Sequence, residues 1–104
     1  MNWNNSENKR LIQAILILKT SKEVELFLRD LLTTQEIDEI SKRLKAAEML
    51  AAGISYLKIE TDTGLSSTTV ARVAKWLNGK GGGYRAIISK LHHHDSIQFR
   101  RGLS

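Results

Sequence analysis

The chain has no cysteine. This excludes a disulfide framework, a thiolate nucleophile and a cysteine-ligated zinc site, and it suits a reducing compartment. Proline is also absent, so no segment carries the residue that most forcefully breaks a helix. Aromatic residues make up only 6% of the chain, too few for the stacking platform that sequence-specific RNA readers use, so an RNA-binding role is disfavoured. The apolar stretch Leu11 to Leu18 is too short to cross a bilayer, and the polar start Met1 to Asn8 lacks the apolar core of a secretion signal. A cytoplasmic protein with no membrane partner is therefore expected. No Ser, His and Asp set is indicated by spacing, and Asp38, Glu39 and Glu48 fall on helix faces expected to be exposed. The sequence thus offers no catalytic residues and argues against an enzyme.

What is present favours helix. In 104 residues, 41% are hydrophobic, enough for one modest core, and most segments are rich in Leu, Ile, Ala, Lys and Glu. An all-α helical bundle is predicted. The formal charge of +5 would draw a polyanion through the overall field, although charge alone does not choose which one.

Along the chain, a polar arm (residues 1–8) precedes a body (9–78) of dimerisation helices and a helix-turn-helix. A glycine-rich linker (79–83) and a C-terminal helix with tail (84–104) follow. The first helix, about Glu7 to Lys19, carries Leu11, Ile12, Ala14, Ile15, Leu16, Ile17 and Leu18 around nearly its whole circumference. A helix apolar on every side must be covered on every side, which one small domain does not achieve, so a homodimer is predicted. Thr20 with Glu23 forms a capping box that opens a second helix with the stripe Val24, Phe27, Leu28 and Leu31. Thr33 with Glu36 repeats the device for a long third helix, whose apolar face carries Ile37, Ile40, Leu44, Ala47 and Ala51 and which ends at Gly53. Tyr84 to about His93 reads as a short last helix.

The segment that points to function runs from Ser55 to Leu77. A short helix, Tyr56 to Thr63, stops at Gly64, which can take the positive φ of a sharp turn between helices. Leu65 plugs the corner and Ser66 caps the next helix. On that helix Val70, Val73, Ala74 and Leu77 share one face, set against Leu57 and Ile59 of the preceding one. The opposite flank carries Ser66, Ser67, Thr68, Arg72 and Lys75, with Thr69 at its edge. Such a flank suits a major groove: hydroxyls and amides at the helix start meet phosphates, small residues permit close approach, and Arg72 reaches a base or a phosphate. Taken singly, the hydroxyls read as caps and the cations as a solvated face. Their joint order with the glycine, the plug and the aliphatic stripe points to double-stranded DNA. Glu60 dissents, because it stands where a small residue usually lets the two helices cross closely; the pair is expected to splay or Glu60 to tilt outward.

The run LTTQEIDEISKRLKAAEMLAAGISYLKIETDTGLSSTTVARVAKWL, Leu32 to Leu77, resembles the tryptophan repressor superfamily. The likeness is strongest to an uncharacterised repressor-like branch whose recognition helix reads similarly and is followed by GGGYR, as at Gly81 to Arg85 here. The resemblance implies an intertwined helical homodimer, and a transcriptional regulator, most simply a repressor, on a roughly palindromic operator. In the family's best-known member, L-tryptophan lies between two arginines, which Arg43 and Arg72 match. Thr33 matches a ligand-lining threonine there, with helix capping as its other reading. Val73 and Trp76 stand where that protein has a glycine and a serine, so the effector pocket of Thr33, Arg43, Arg72 and Trp76 is expected to be obstructed. Trp76, four residues after Arg72, could stack on its guanidinium and fill the co-repressor's place, making DNA binding independent of tryptophan; packing in the core or dimer interface is the other reading.

The remaining signals are weaker. Gly79 to Gly83 with Lys80 lacks the Lys-Ser/Thr pair and preceding strand of a phosphate-binding loop and reads as a flexible linker, with Lys80 and Arg85 able to touch a DNA backbone. His92, His93 and His94 point about 100° apart on a helix and do not converge on one ion, so no metal is expected, nor any cofactor. Arg100 and Arg101 read as solvated. The competing function is a protein-interaction or assembly module that uses the helix-turn-helix as a scaffold.

Overall fold

The computed structural model describes the backbone of residues 1–103 and the side chains as far as Ile97. Arg100 and Arg101 therefore lie outside the described side chains. The described chain is all-α, with α1 (Ser6–Leu16), α2 (Ser21–Leu31), α3 (Thr34–Ala51), α4 (Tyr56–Thr63), α5 (Ser67–Asn78) and α6 (Gly83–Leu103). It divides into two compact units, Met1–Ile37 and Asp38–Ser104. Among the described residues, no helix is long and apolar enough to cross a membrane.

In the first unit each helix start is closed by a side chain. The Asn5 side chain accepts from the Asn8 N–H at 2.7 Å to start α1, and the Thr20 hydroxyl accepts from the Glu23 N–H at 3.1 Å to start α2. The Glu23 carboxylate reaches one residue further back than a capping box requires and accepts from the Lys19 N–H at 3.1 Å. At α3 the box is complete: the Thr33 N–H donates to Glu36 at 2.9 Å and the Glu36 N–H donates to the Thr33 hydroxyl at 3.1 Å. Each such cap satisfies N–H groups that the helix cannot bond internally. Those Thr33 bonds, the backbone one first, hold the Glu36 carboxyl below its ordinary pKa.

α1 ends at Leu16, with Ile17 as its C-cap, three residues short of the sequence expectation at Lys19. It has no buried residue. Leu16 and Ile17 are 76% and 73% exposed, and Leu11, Ile12 and Ile15 are exposed as well. α2 also buries none of its side chains; Phe27 and Leu28 are half-covered, while Val24 and Leu31 stay exposed.

The second unit holds the core. Ala46, Ala47, Ile59, Leu65, Val70, Val73, Leu77 and Ile88 form one cluster, with Met49, Leu50, Ile54 and Tyr84 packed at its margin. Each fully buried Val, Leu or Ile contributes roughly 1.5–3 kcal/mol. Ala46 and Ala47 have no exposed surface. The buried edge of α3 thus lies at Ala46 and Ala47, so that Ala47 of the predicted stripe is buried while its members Ile40 and Ala51 are exposed. The chain leaves α3 through Gly53, at φ 81. α6 continues well beyond His93 because no proline or glycine interrupts it before Gly102, so the expected tail is helical in its described part. Arg85 joins it to α5: its Nε donates to the Leu77 carbonyl at 3.3 Å and its terminal nitrogen to Asn78 Oδ1 at 2.9 Å. These bonds tie Arg85, which remains exposed, to the end of α5.

Candidate nucleic-acid interface

α4, the Gly64 turn and α5 form a helix-turn-helix. The Ser55 hydroxyl accepts from the Lys58 N–H at 3.2 Å and opens α4, which stops at Gly64 with φ 77 and ψ 5. The Gly64 N–H closes onto the Glu60 carbonyl at 2.8 Å. Leu65, 7% exposed, plugs the corner as its sequence position implies. A residue not singled out from sequence fastens the turn. The buried Thr63 hydroxyl donates to the Ile59 carbonyl at 2.7 Å and accepts from the Leu65 N–H at 3.2 Å. Its signal was a β-branched polar residue directly before the turn glycine, which can bond backward along its own helix.

Ile59, Val70, Val73, Ala74 and Leu77 are all buried, as their spacing predicts. Leu57 is not: at 74% exposure it points away from α5, so Ile59 alone of the two packs the pair. Glu60 is half-buried, and the helices still meet closely enough to leave Ile59 and Val70 with no exposed surface.

Opposite this packed stripe lie the residues expected to face DNA. Ser66 is exposed but committed locally: its hydroxyl accepts from the Thr69 N–H at 3.1 Å and donates to the Thr69 hydroxyl at 3.0 Å. Thr69 is half-buried, whereas Ser67, Thr68, Arg72 and Lys75 are exposed. α5 contains no acidic residue, and among the described residues neither Arg72 nor Lys75 is held in an ion pair. Among the described residues, four arginines and lysines on the other helices are so held: Arg29 by Asp30 at 3.5 Å, Lys42 by Asp38 at 2.8 Å, Arg43 by Glu39 at 3.2 Å, and Lys58 by Asp62 at 3.2 Å. The Asp38 hydrogen bond and charge raise the Lys42 pKa. α5 therefore presents an outer flank of hydroxyls and uncompensated positive charge.

Behind that flank, Arg43, Thr69, Arg72, Val73, Trp76 and Tyr84 line a pocket of about 210 Å³. Arg43, Arg72 and Trp76 line this one pocket, the two arginines as the resemblance implied and Trp76 beside Arg72 as their spacing implied. The expected obstruction is incomplete, because Val73 and Trp76 form walls and leave this volume between them. Trp76 is 64% exposed and so is not core packing. Among the described residues, Arg43 Nε is buried without a hydrogen-bond partner. Thr33 is engaged as the cap of α3. Tyr84 was missed from sequence because it belongs to the next helix and only the fold brings it to the pocket. Among the described residues, no group of three or more His, Cys, Asp or Glu could hold a metal ion.

Comparison with known proteins agrees with this architecture. The chain is 39% identical over 85 residues to the Bacillus subtilis (strain 168) protein YerC, a match covering 82% of each. A TrpR-like protein from Eubacterium eligens ATCC 27750 superposes with a TM-score of 0.82 at 36% identity, over 86% of this chain and 93% of that one. A candidate Trp repressor from Staphylococcus aureus gives the same TM-score, 0.82, at 32% identity, over 88% of this chain and 95% of that one. The Trp repressor protein family itself, a family of transcription regulators and not of enzymes, matches residues 6–92. The six-helix order, the glycine-turned α4–α5 pair and these matches together establish that the chain belongs to the Trp repressor protein family.

Proposed function

We propose that the protein is a sequence-specific DNA-binding transcriptional regulator, acting as a cytoplasmic repressor, that inserts α5 into the major groove. The observation that carries this reading is the outer flank of α5. Ser67, Thr68, Arg72 and Lys75 are exposed on one helix without an acidic neighbour in it. The helix start supplies N–H groups and hydroxyls for phosphates, and Arg72 is the residue long enough to read a base edge.

The regulator works as a homodimer. α1 exposes Leu11, Ile12, Ile15, Leu16 and Ile17, a surface more apolar than a helix keeps against water. A twofold pair presents two copies of α5 to successive major grooves, which calls for a roughly palindromic operator.

DNA binding is independent of L-tryptophan. The pocket between Arg43 and Arg72, at about 210 Å³, lies below the roughly 300–1,000 Å³ typical of small-molecule sites. Val73 and Trp76 occupy its margin. In vitro selection of duplexes by the purified protein, with and without L-tryptophan, tests the whole reading. A recovered palindrome bound equally in both conditions supports it. Failure to enrich any duplex removes the DNA reading, and enrichment only with tryptophan removes the independence.

A further inference from the structure

The glycines after α5 are not all accounted for by the fold. Gly82 has φ 77, which explains glycine at that position. Gly81 and Gly83 have no positive φ, and a Cβ built on either would meet nothing within 4 Å. Neither backbone conformation nor internal packing therefore requires a missing side chain there. The missing side chains have a visible consequence: Gly81, Gly82 and Gly83 line a cleft of about 340 Å³ whose other lining residues are Trp76 and Tyr84. This volume falls within the range of small-molecule sites, and an aromatic lining is typical of them. The adjoining hollow is lined by Lys75, Trp76, Gly79, Lys80 and Gly81, so Trp76 stands between an aromatic cleft and a pair of lysines. No acidic residue lines either space.

The chemistry of the walls narrows the occupant. Exposed aromatic faces beside unsubstituted backbone suit a flat ring, and the neighbouring ammonium groups suit an anion attached to it. An aliphatic ligand would leave the lysines unused, and a bare anion would leave the aromatic faces unused. Duplex DNA keeps its bases stacked on one another and cannot offer a ring edge-on to the cleft. We propose that the Trp76–Tyr84 cleft over Gly81 to Gly83 binds a free mononucleotide, with the base against the indole and the phosphate at Lys75 and Lys80. The site adjoins the Arg43–Arg72 pocket, shares Trp76 and Tyr84 with it but not its arginines, and does not depend on the DNA reading.

The chain has two tryptophans, and Trp3 is itself exposed, so Trp3→Phe leaves Trp76 as the single tryptophan, excited selectively over the two tyrosines. In the absence of DNA, AMP, GMP, CMP and UMP are titrated in turn into this full-length variant, with inner-filter correction. At least one nucleotide is expected to quench Trp76 saturably, while ribose 5-phosphate and inorganic phosphate leave the emission unchanged. Gly81→Val, whose Cβ meets nothing within 4 Å, should keep the thermal midpoint and weaken that binding by about tenfold or more. Lys80→Ala should weaken the nucleotide but not the corresponding nucleoside. The proposal is overturned if no mononucleotide quenches up to about 5 mM, if Gly81→Val binds unchanged, or if only a single-stranded oligonucleotide quenches.

Discussion

Gly64→Ala isolates the backbone requirement of the helix-turn-helix from every other contribution. Gly64 sits at φ 77 and ψ 5, and a Cβ added there would meet nothing within 4 Å. The cost is therefore that of holding an L-residue in the left-handed region, about 1–2 kcal/mol. Part of it is offset because alanine restricts the unfolded chain, by about 0.4–1 kcal/mol. The net loss should be near 1 kcal/mol, a fall in Tm of about 4–8 °C at fixed protein concentration. Gly64→Asn should lose less, since asparagine enters this region more readily. Gly81→Ala, with no positive φ and equally open surroundings, should be neutral or slightly stabilising. Thermal and urea unfolding of the three variants side by side are the assay. Equal stability of the Gly64 and Gly81 alanine variants, or an asparagine variant worse than alanine, would refute the reasoning.

Other consequences can be checked with the same preparations. Ile59→Ala should cost about 2–5 kcal/mol through an unfilled cavity, whereas Leu57→Ser, at a site 74% exposed, should stay within about 0.5 kcal/mol of the parent in urea melts. Because Glu36 is held below its ordinary pKa, its contribution to folding is present above the unfolded glutamate value and is lost as pH falls through the lowered folded value. Glu36→Gln should therefore flatten the acid side of the stability curve, and NMR titration should find the Glu36 carboxyl below the ordinary glutamate value. Leu16→Lys on the exposed face of α1 should shift the sedimentation profile from dimer to monomer while leaving the second unit's core, from Ala46 to Ile88, folded.

Much of this molecule was legible residue by residue, for reasons that are local. Thr20, Thr33, Ser66 and Gly64 act within three or four residues of themselves, so their caps and turn could be read from spacing alone. The exposed flank of α5 followed from the same periodicity that buries Val70, Val73, Ala74 and Leu77. What spacing did not provide was orientation set by distant partners. Leu57 has the composition of a packing residue, but the direction of α4 turns Ile59 inward and leaves Leu57 in solvent. On α3, the second unit's core takes Ala47 of the predicted stripe together with Ala46 beside it, and leaves the stripe's Ile40 and Ala51 exposed. Tyr84 reaches the Arg43–Arg72 pocket only because α6 returns alongside α5, with Arg85 bonded to the end of that helix. α6 itself outran its expected length because the polar run after Leu91 hides helical periodicity without supplying a helix breaker.

The salt dependence of binding to a selected duplex, measured for the parent and for Arg72→Ala, bears most directly on α5 as the DNA-reading helix. Affinity should fall linearly on logarithmic axes with a slope of about −0.9 per phosphate contact, and Arg72→Ala should lose about 1–3 kcal/mol for that duplex with far less effect on random sequence. Association that hardly responds to salt, or an Arg72 variant that binds as the parent does, would contradict the account.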